Sequence, residues 1–156
     1  MYEHVESGKL TPQQIDTYLN QPLLARMATA SADTAQPHVV PVWYLWDGQS
    51  IWVHGYSGTR KFKELAGNPA CSIVVDHATS GVDFWAVLFE GQVELITDPT
   101  VVHPMAARIY TRYIGAEGVL DPVPQSWIQD ADSLLLKLTP SRIATWYSTR
   151  KSTDQA

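Results

Sequence analysis

Apolar side chains along this chain recur mainly at strand spacing, and turn-forming residues interrupt them at short intervals. Residues 23–31 alternate imperfectly and predict a strand. Residues 37–46, rich in β-branched and aromatic side chains, predict a second. Asp47 and Gly48 then form a hairpin dipeptide, so residues 50–54 are expected to return antiparallel to it. Further strands are expected at residues 70–76, at 83–97 with a bend at Gly91, at 133–138 and at 142–147. Helical spacing occurs in three places. Thr11, Pro12 and Gln14 make a capping-box pattern that opens a helix running to about residue 20, stopped by Pro22. Phe62 and Leu65 share a face of a short helix closed by Gly67, Asn68 and Pro69. Val102, Ala106, Ile109, Tyr110 and Tyr113 line a longer helix that begins after Asp98 and ends at Gly115, with Arg108 and Arg112 on a neighbouring face. Residues 116–132 hold Gly118, Pro122, Pro124 and the large aromatic Trp127 and predict a long loop; the polar residues 148–156 predict a fraying tail.

Six or seven strands joined mostly by hairpin-length turns, with helices outside the sheet, predict a mainly β architecture. The expected arrangement is a small antiparallel barrel in a single domain, residues 1–156, with residues 1–22 covering an open end. A doubly wound parallel sheet is excluded, because helices do not alternate with strands. Pro41 falls inside the second strand and cannot donate a ladder hydrogen bond, so it must lie at an edge or a bulge. Either an ordinary edge proline or a backbone that faces a ligand satisfies this.

With 45% of residues hydrophobic, the chain can bury a sizeable core. The net charge of -5 argues against general nucleic-acid binding, and Arg60, Lys61 and Lys63 make too small a basic patch for a groove. Cys71 is the single cysteine, which excludes an internal disulfide and fits a reducing cytoplasm; its apolar surroundings predict a buried, inert thiol. No apolar run reaches the length of a membrane span, and the first residues lack the layout of a signal peptide. His4, His77 and His103 have no metal-ligand spacing, so no metal site is expected. The six tryptophans suit the walls around a flat ring and, equally, a subunit interface.

The stretch from His54 to Pro69 carries the candidate chemistry. A strand turns on Gly55 and Gly58 and delivers Thr59, Arg60 and Lys61 to the first turn of the short helix, with Thr59 or Ser57 available as its cap. The helix dipole disfavours each cation there by roughly 0.3–1 kcal/mol, and an anion bound at the same place would reverse the sign. Backbone N–H groups, a hydroxyl, a guanidinium and an ammonium could then converge on one phosphate. A solvated Arg-Lys pair on a surface helix accounts for the same residues.

The order Thr59-Arg60-Lys61, Glu64-Leu65, Asn68-Pro69 resembles the flavin-phosphate segment of the pyridoxamine 5′-phosphate oxidase-like proteins. The likeness runs from about residue 23 to about residue 98, and Val87, Phe89, Glu90 and Gly91 match a further strand of that family. The resemblance implies a six- or seven-stranded antiparallel split β-barrel that binds FMN in a groove between the subunits of a homodimer. It implies contacts to the ring from the strand holding Val39, Val40, Pro41, Val42, Trp43 and Tyr44, and from His54 and Gly55, with Thr59, Arg60 and Lys61 on the phosphate. It further implies an oxidoreductase that moves hydride between the flavin and a small conjugated molecule, with no catalytic side chain required. Val39 and Ala86 depart from the arginine and glutamine of the vitamin B6 oxidases, and their Arg-Leu-x-Pro ending is missing, which argues against pyridoxamine phosphate as substrate. The general-stress flavoproteins and the deazaflavin-dependent reductases are the nearer likeness. Two alternatives stay open: a deazaflavin coenzyme in place of FMN, whose acidic tail Arg108, Arg112 and Arg142 would serve if clustered, and a non-catalytic flavin or haem binder. His38 and His54 are either donors to the ligand or structural histidines. Trp127 and Trp146 either close the substrate side or pack.

Overall fold

The computed structural model describes residues 5–151. The start of the expected cover, residues 1–4, and most of the expected tail, residues 152–156, lie outside the described residues. Nine strands form one antiparallel sheet: β1 (Val5–Gly8), β2 (Ala25–Ala30), β3 (Pro37–Val42), β4 (Leu45–Trp46), β5 (Ile51–Tyr56), β6 (Ala70–Ala78), β7 (Phe84–Ile96), β8 (Ser133–Leu138) and β9 (Arg142–Arg150). Four helices accompany them: α1 (Pro12–Leu19), α2 (Arg60–Gly67), α3 (Pro99–Gly118) and α4 (Pro122–Ile128). The strand order is β3-β2-β6-β7-β8-β5-β4, with β9 on β7 and β1 on β9. β7 pairs with β9 over residues 84–90 and with β8 over residues 93–96. It changes partner at Gly91, the expected bend, and the change curls the sheet into a half-barrel. The fold is therefore mainly β, an antiparallel split β-barrel with packed helices, as expected.

One side of the curled sheet closes on a core that includes Met27, Ile73, Val75, Val87, Phe89 and Leu136. α1 seals one end of it with Leu19, Ile15 and Tyr18, the last stacked on Trp85 at 4.7 Å between ring centroids. The capping box forms as expected: Gln14 N donates to Thr11 Oγ1 at 3.2 Å, and Thr11 N donates to Gln14 Oε1 at 2.9 Å. α3 lies outside, packing Val102 and Ile109 on Leu135 and Trp52.

Three expectations need correction. The strand expected at 37–46 breaks after Val42, so the Asp47-Gly48 turn joins only the two-residue β4 to β5, and β3 pairs with β2 alone. The cause is α3. Tyr44 N donates to the Tyr113 hydroxyl at 3.1 Å and the Tyr44 carbonyl accepts from the Arg112 guanidinium, so side chains replace the ladder there. The loop expected at 116–132 is instead the last turn of α3 followed by α4. Gly115, at φ +82°, breaks the helix where it was expected to end, but the chain turns back into helix. Pro122 then opens α4 at its first position. Finally, residues 148–150 do not fray, because β1, which the sequence pattern does not reveal, pairs with them.

Candidate functional site

α2 packs against β5 through Phe62, which is buried. A Cβ on Gly55 would sit 2.1 Å from the Phe62 ring, so only glycine lets the helix approach this closely. Gly55 was expected to admit a ligand; the space beside it is filled by Phe62. Thr59 is the N-cap residue, but its hydroxyl donates to the Tyr56 carbonyl at 2.9 Å and caps nothing, contrary to expectation. The first-turn N–H groups of α2 thus receive no side-chain acceptor.

The two adjacent cations then part. Arg60 turns along the helix and donates from Nε to Glu64 Oε1 at 2.8 Å. The same carboxylate accepts from the Thr29 hydroxyl at 2.6 Å, and these two hydrogen bonds hold Glu64 below the usual carboxylate range. His38 Nδ1 lies 3.7 Å from it and has no hydrogen-bond partner. Lys61 turns the other way, into a cleft of about 280 Å³ lined with Leu24, Pro41, Val42, Trp43, His54, Ile109 and Tyr110. It is half-buried, no carboxylate among the described residues lies within ion-pair distance, and burial lowers its pKa.

β3 forms one wall of the cleft and is an edge strand. Pro41 faces Arg26 without an N–H to give, so Val40 and Val42 must be the residues that exchange hydrogen bonds with Met27 and Ala25. The N–H and C=O of Val39 and the C=O of Pro41 then point away from the sheet. Val42 turns its side chain to the core, Val40 packs against that core, and Val39 and Pro41 are exposed. Trp43 leaves the strand to stack on Tyr113 at 4.6 Å, nearly parallel, with the edge of Tyr110 at 5.4 Å. Tyr44 goes the opposite way: it is fully buried, and its hydroxyl donates to the Leu19 and Gln21 carbonyls.

His54 is bonded at both nitrogens, Nδ1 to the Tyr110 hydroxyl at 3.0 Å and Nε2 to Ser133 Oγ at 3.1 Å. Burial lowers its pKa to about 4 and keeps the ring neutral; Asp130 opposes the shift and His103 adds to it. Tyr110 is pushed up by burial, with Tyr56 beside it, so its phenol stays protonated.

Five of the eleven expected residues, Pro41, Val42, Trp43, His54 and Lys61, meet at the cleft. Arg60 lies outside it, while Gly55 and Tyr44 serve packing. Arg108, Arg112 and Arg142 do not share partners: Arg112 donates to main-chain carbonyls, Arg142 pairs with Glu90, and Arg108 lies against Met105. Trp127 packs on Tyr110 at 5.8 Å, and Trp146 is exposed on β9. Sequence reasoning placed Tyr110 and Tyr113 on a packing face and assigned them no role. The signal was there: a tyrosine on a buried helix face needs a partner for its hydroxyl. Among the described residues no group of histidines, cysteines and carboxylates could hold a metal ion.

Apolar and aromatic walls, a strand edge with outward main-chain groups and one half-buried cation together fit a flat ring bearing a phosphate. Known proteins of this architecture are similar in fold. A conserved hypothetical protein from Mycobacterium tuberculosis is 22% identical with a TM-score of 0.78, over 88% of this chain and 85% of that one. An F420 reductase is 25% identical with a TM-score of 0.65, over 83% and 94%. A flavocytochrome from Azotobacter vinelandii is 21% identical with a TM-score of 0.71, over 92% and 69%. No match is found among curated proteins. The model of the pyridoxamine 5′-phosphate oxidase family matches residues 11–147, nearly the whole of the described barrel with β3, α2 and α3 included, and the chain belongs to that family.

Proposed function

We propose that this chain is an oxidoreductase that binds FMN or a deazaflavin coenzyme at the β3–α2 cleft and serves a small planar substrate. The observation that carries the reading is Lys61: a half-buried ammonium without a carboxylate, at the first turn of a helix, beside an edge strand. Such a cation loses hydration for which the described residues offer only the face of the Phe62 ring, 5.7 Å from Nζ, and a phosphate would replace it. Lys61, the free N–H groups of α2 and the Thr59 main chain would hold the phosphate. Val39 and Pro41 would offer main-chain groups to the polar edge of the ring, and Trp43 with Ile109 its apolar wall. The bound cofactor supplies the hydride. The chain's own part is to bind, to orient and to exclude water, and His54, bonded at both nitrogens, fixes Tyr110 in the cleft.

The pairing of Arg60 with Glu64 favours the deazaflavin reading, while the dispersal of Arg108, Arg112 and Arg142, which leaves that coenzyme's acidic tail without a cation cluster, weighs against it. One uncompensated cation matches a singly charged phosphodiester better than the dianionic monoester of FMN. The similarity to an F420 reductase supports the same reading. The cofactor is expected to lie between two copies of the chain, because a cleft this small and this open encloses no ring system by itself. An absorption spectrum of the freshly purified protein, with mass analysis of what denaturation releases, tests the reading. Release of FMN, or uptake of the deazaflavin coenzyme by a colourless protein, supports it. A haem spectrum, or uptake of neither, contradicts it.

A further inference from the structure

The hydrogen bonds that leave the cleft through His54 run in one direction. The Trp127 carbonyl can only accept, so the Ser133 hydroxyl gives its proton there, at 3.0 Å. Ser133 Oγ then accepts from His54, which puts the ring proton on Nε2. Nδ1 is left bare and takes the proton of Tyr110 at 3.0 Å. Tyr56 stands beside Tyr110, but its hydroxyl donates to the same Trp127 carbonyl, at 3.4 Å. Tyr110 lines the cleft, and its oxygen therefore keeps lone pairs to offer and no free proton. We infer that Tyr110 sets specificity as a hydrogen-bond acceptor: the substrate taken by this cleft is a planar ring compound with an N–H or O–H on its edge, and isosteric rings without that hydrogen bind less tightly.

This rests on the cleft being the ligand site. Of the other cleft side chains that carry polar atoms, Lys61 and the Trp43 indole can only donate and His54 is bonded at both nitrogens, so Tyr110 is the acceptor among the side chains there. A ring that covers Tyr110 without a hydrogen to give strips water from its oxygen and leaves it unpaired. The cost is that of one lost hydrogen bond. The direction also argues against Tyr110 as a proton donor, since its proton is held by His54.

Two measurements on the full chain test the inference. Long-range 15N–1H correlation of the histidine rings near pH 7 is expected to show His54 protonated at Nε2 and bare at Nδ1; a proton at Nδ1 overturns it. Indole and benzofuran, matched in shape and different in the one N–H, are titrated while the amide shifts of cleft residues are followed. Wild type is expected to bind indole roughly three- to tenfold more tightly, the worth of one net hydrogen bond, and Tyr110→Phe to bind the two alike. Equal binding by wild type, a preference that survives in Tyr110→Phe, or absence of both probes from the cleft overturns it. The cofactor reading fails separately, through flavin binding that ignores Lys61, and leaves the ring tautomer and the indole preference standing.

Discussion

A cation that burial strips of water, with no carboxylate beside it, destabilises the fold that holds it, so Lys61 should cost stability as it serves binding. Lys61→Met keeps the stem and removes the charge. The expected result is unchanged or higher stability in urea, by up to about 1 kcal/mol, together with weaker cofactor binding. Arg60 is the reverse case. Its pair with Glu64 is exposed on the arginine side, so Arg60→Ala should change stability by no more than about 0.5 kcal/mol and affect binding less than Lys61→Met does. His54 adds a pH dependence. Its folded pKa of about 4 lies below the ordinary 6.5. Between those values the unfolded chain binds a proton that the folded chain does not, so stability is complete above pH 6.5 and falls as the pH drops toward 4. The loss is at most roughly 3 kcal/mol, at about 1.36 kcal/mol per unit. His54→Gln should flatten unfolding curves between pH 6.5 and 4, while the loss from lowered carboxylates such as Asp47 and Asp83, which begins lower, remains.

α2 is placed by Phe62 over Gly55, and the placement is what aims Lys61 into the cleft. Gly55→Ala forces a methyl into the Phe62 ring and should destabilise by about 1–3 kcal/mol, weakening cofactor binding with it; a variant as stable as wild type in a urea titration would show that α2 shifts at no cost. The elements that sequence reasoning found are those specified by neighbours in the chain: Thr11 with Gln14 opens α1, Gly67-Asn68-Pro69 closes α2, and Gly91 bends β7. The break between β3 and β4 was hidden because its cause lies far along the chain, where Arg112 and Tyr113 of α3 take the main-chain groups of Tyr44. Arg112 also donates to the Leu19 and Gln21 carbonyls at 2.9 and 3.0 Å, tying the end of α1 to α3. Arg112→Met should therefore cost about 1.5–3 kcal/mol. The cleft was half legible for the same reason. Its β3 and α2 residues form a local string, whereas Tyr110 and Ser133 reach His54 only through the fold.

Across the whole molecule, one side of the sheet closes on the core and α3 covers the outer side at β5 and β8, while the outer side of β3, β6, β7 and β9 carries apolar residues. Pro41 and Val39 on β3, Val74 on β6, Leu88 on β7 and the exposed Trp146 on β9 share that face, with the Arg26–Asp76 and Arg142–Glu90 pairs set among them. Such a face suits a second copy of the chain, whose docking would bring covering atoms to β3 and its cleft. Trp146→Asp should turn a dimer into a monomer in sedimentation and weaken cofactor binding in parallel; a wild type that sediments as a monomer and still binds tightly contradicts the assembly. No helix among the described residues is long and apolar enough to cross a membrane. The central claim, that a flavin-type cofactor docks its phosphate on Lys61, is tested most directly by titrating FMN and the deazaflavin coenzyme into wild type and Lys61→Met. A charge-assisted hydrogen bond of about 1.5–3 kcal/mol predicts roughly ten- to hundredfold weaker binding of the preferred cofactor by the variant. Equal affinity of the two proteins for that cofactor would contradict the account.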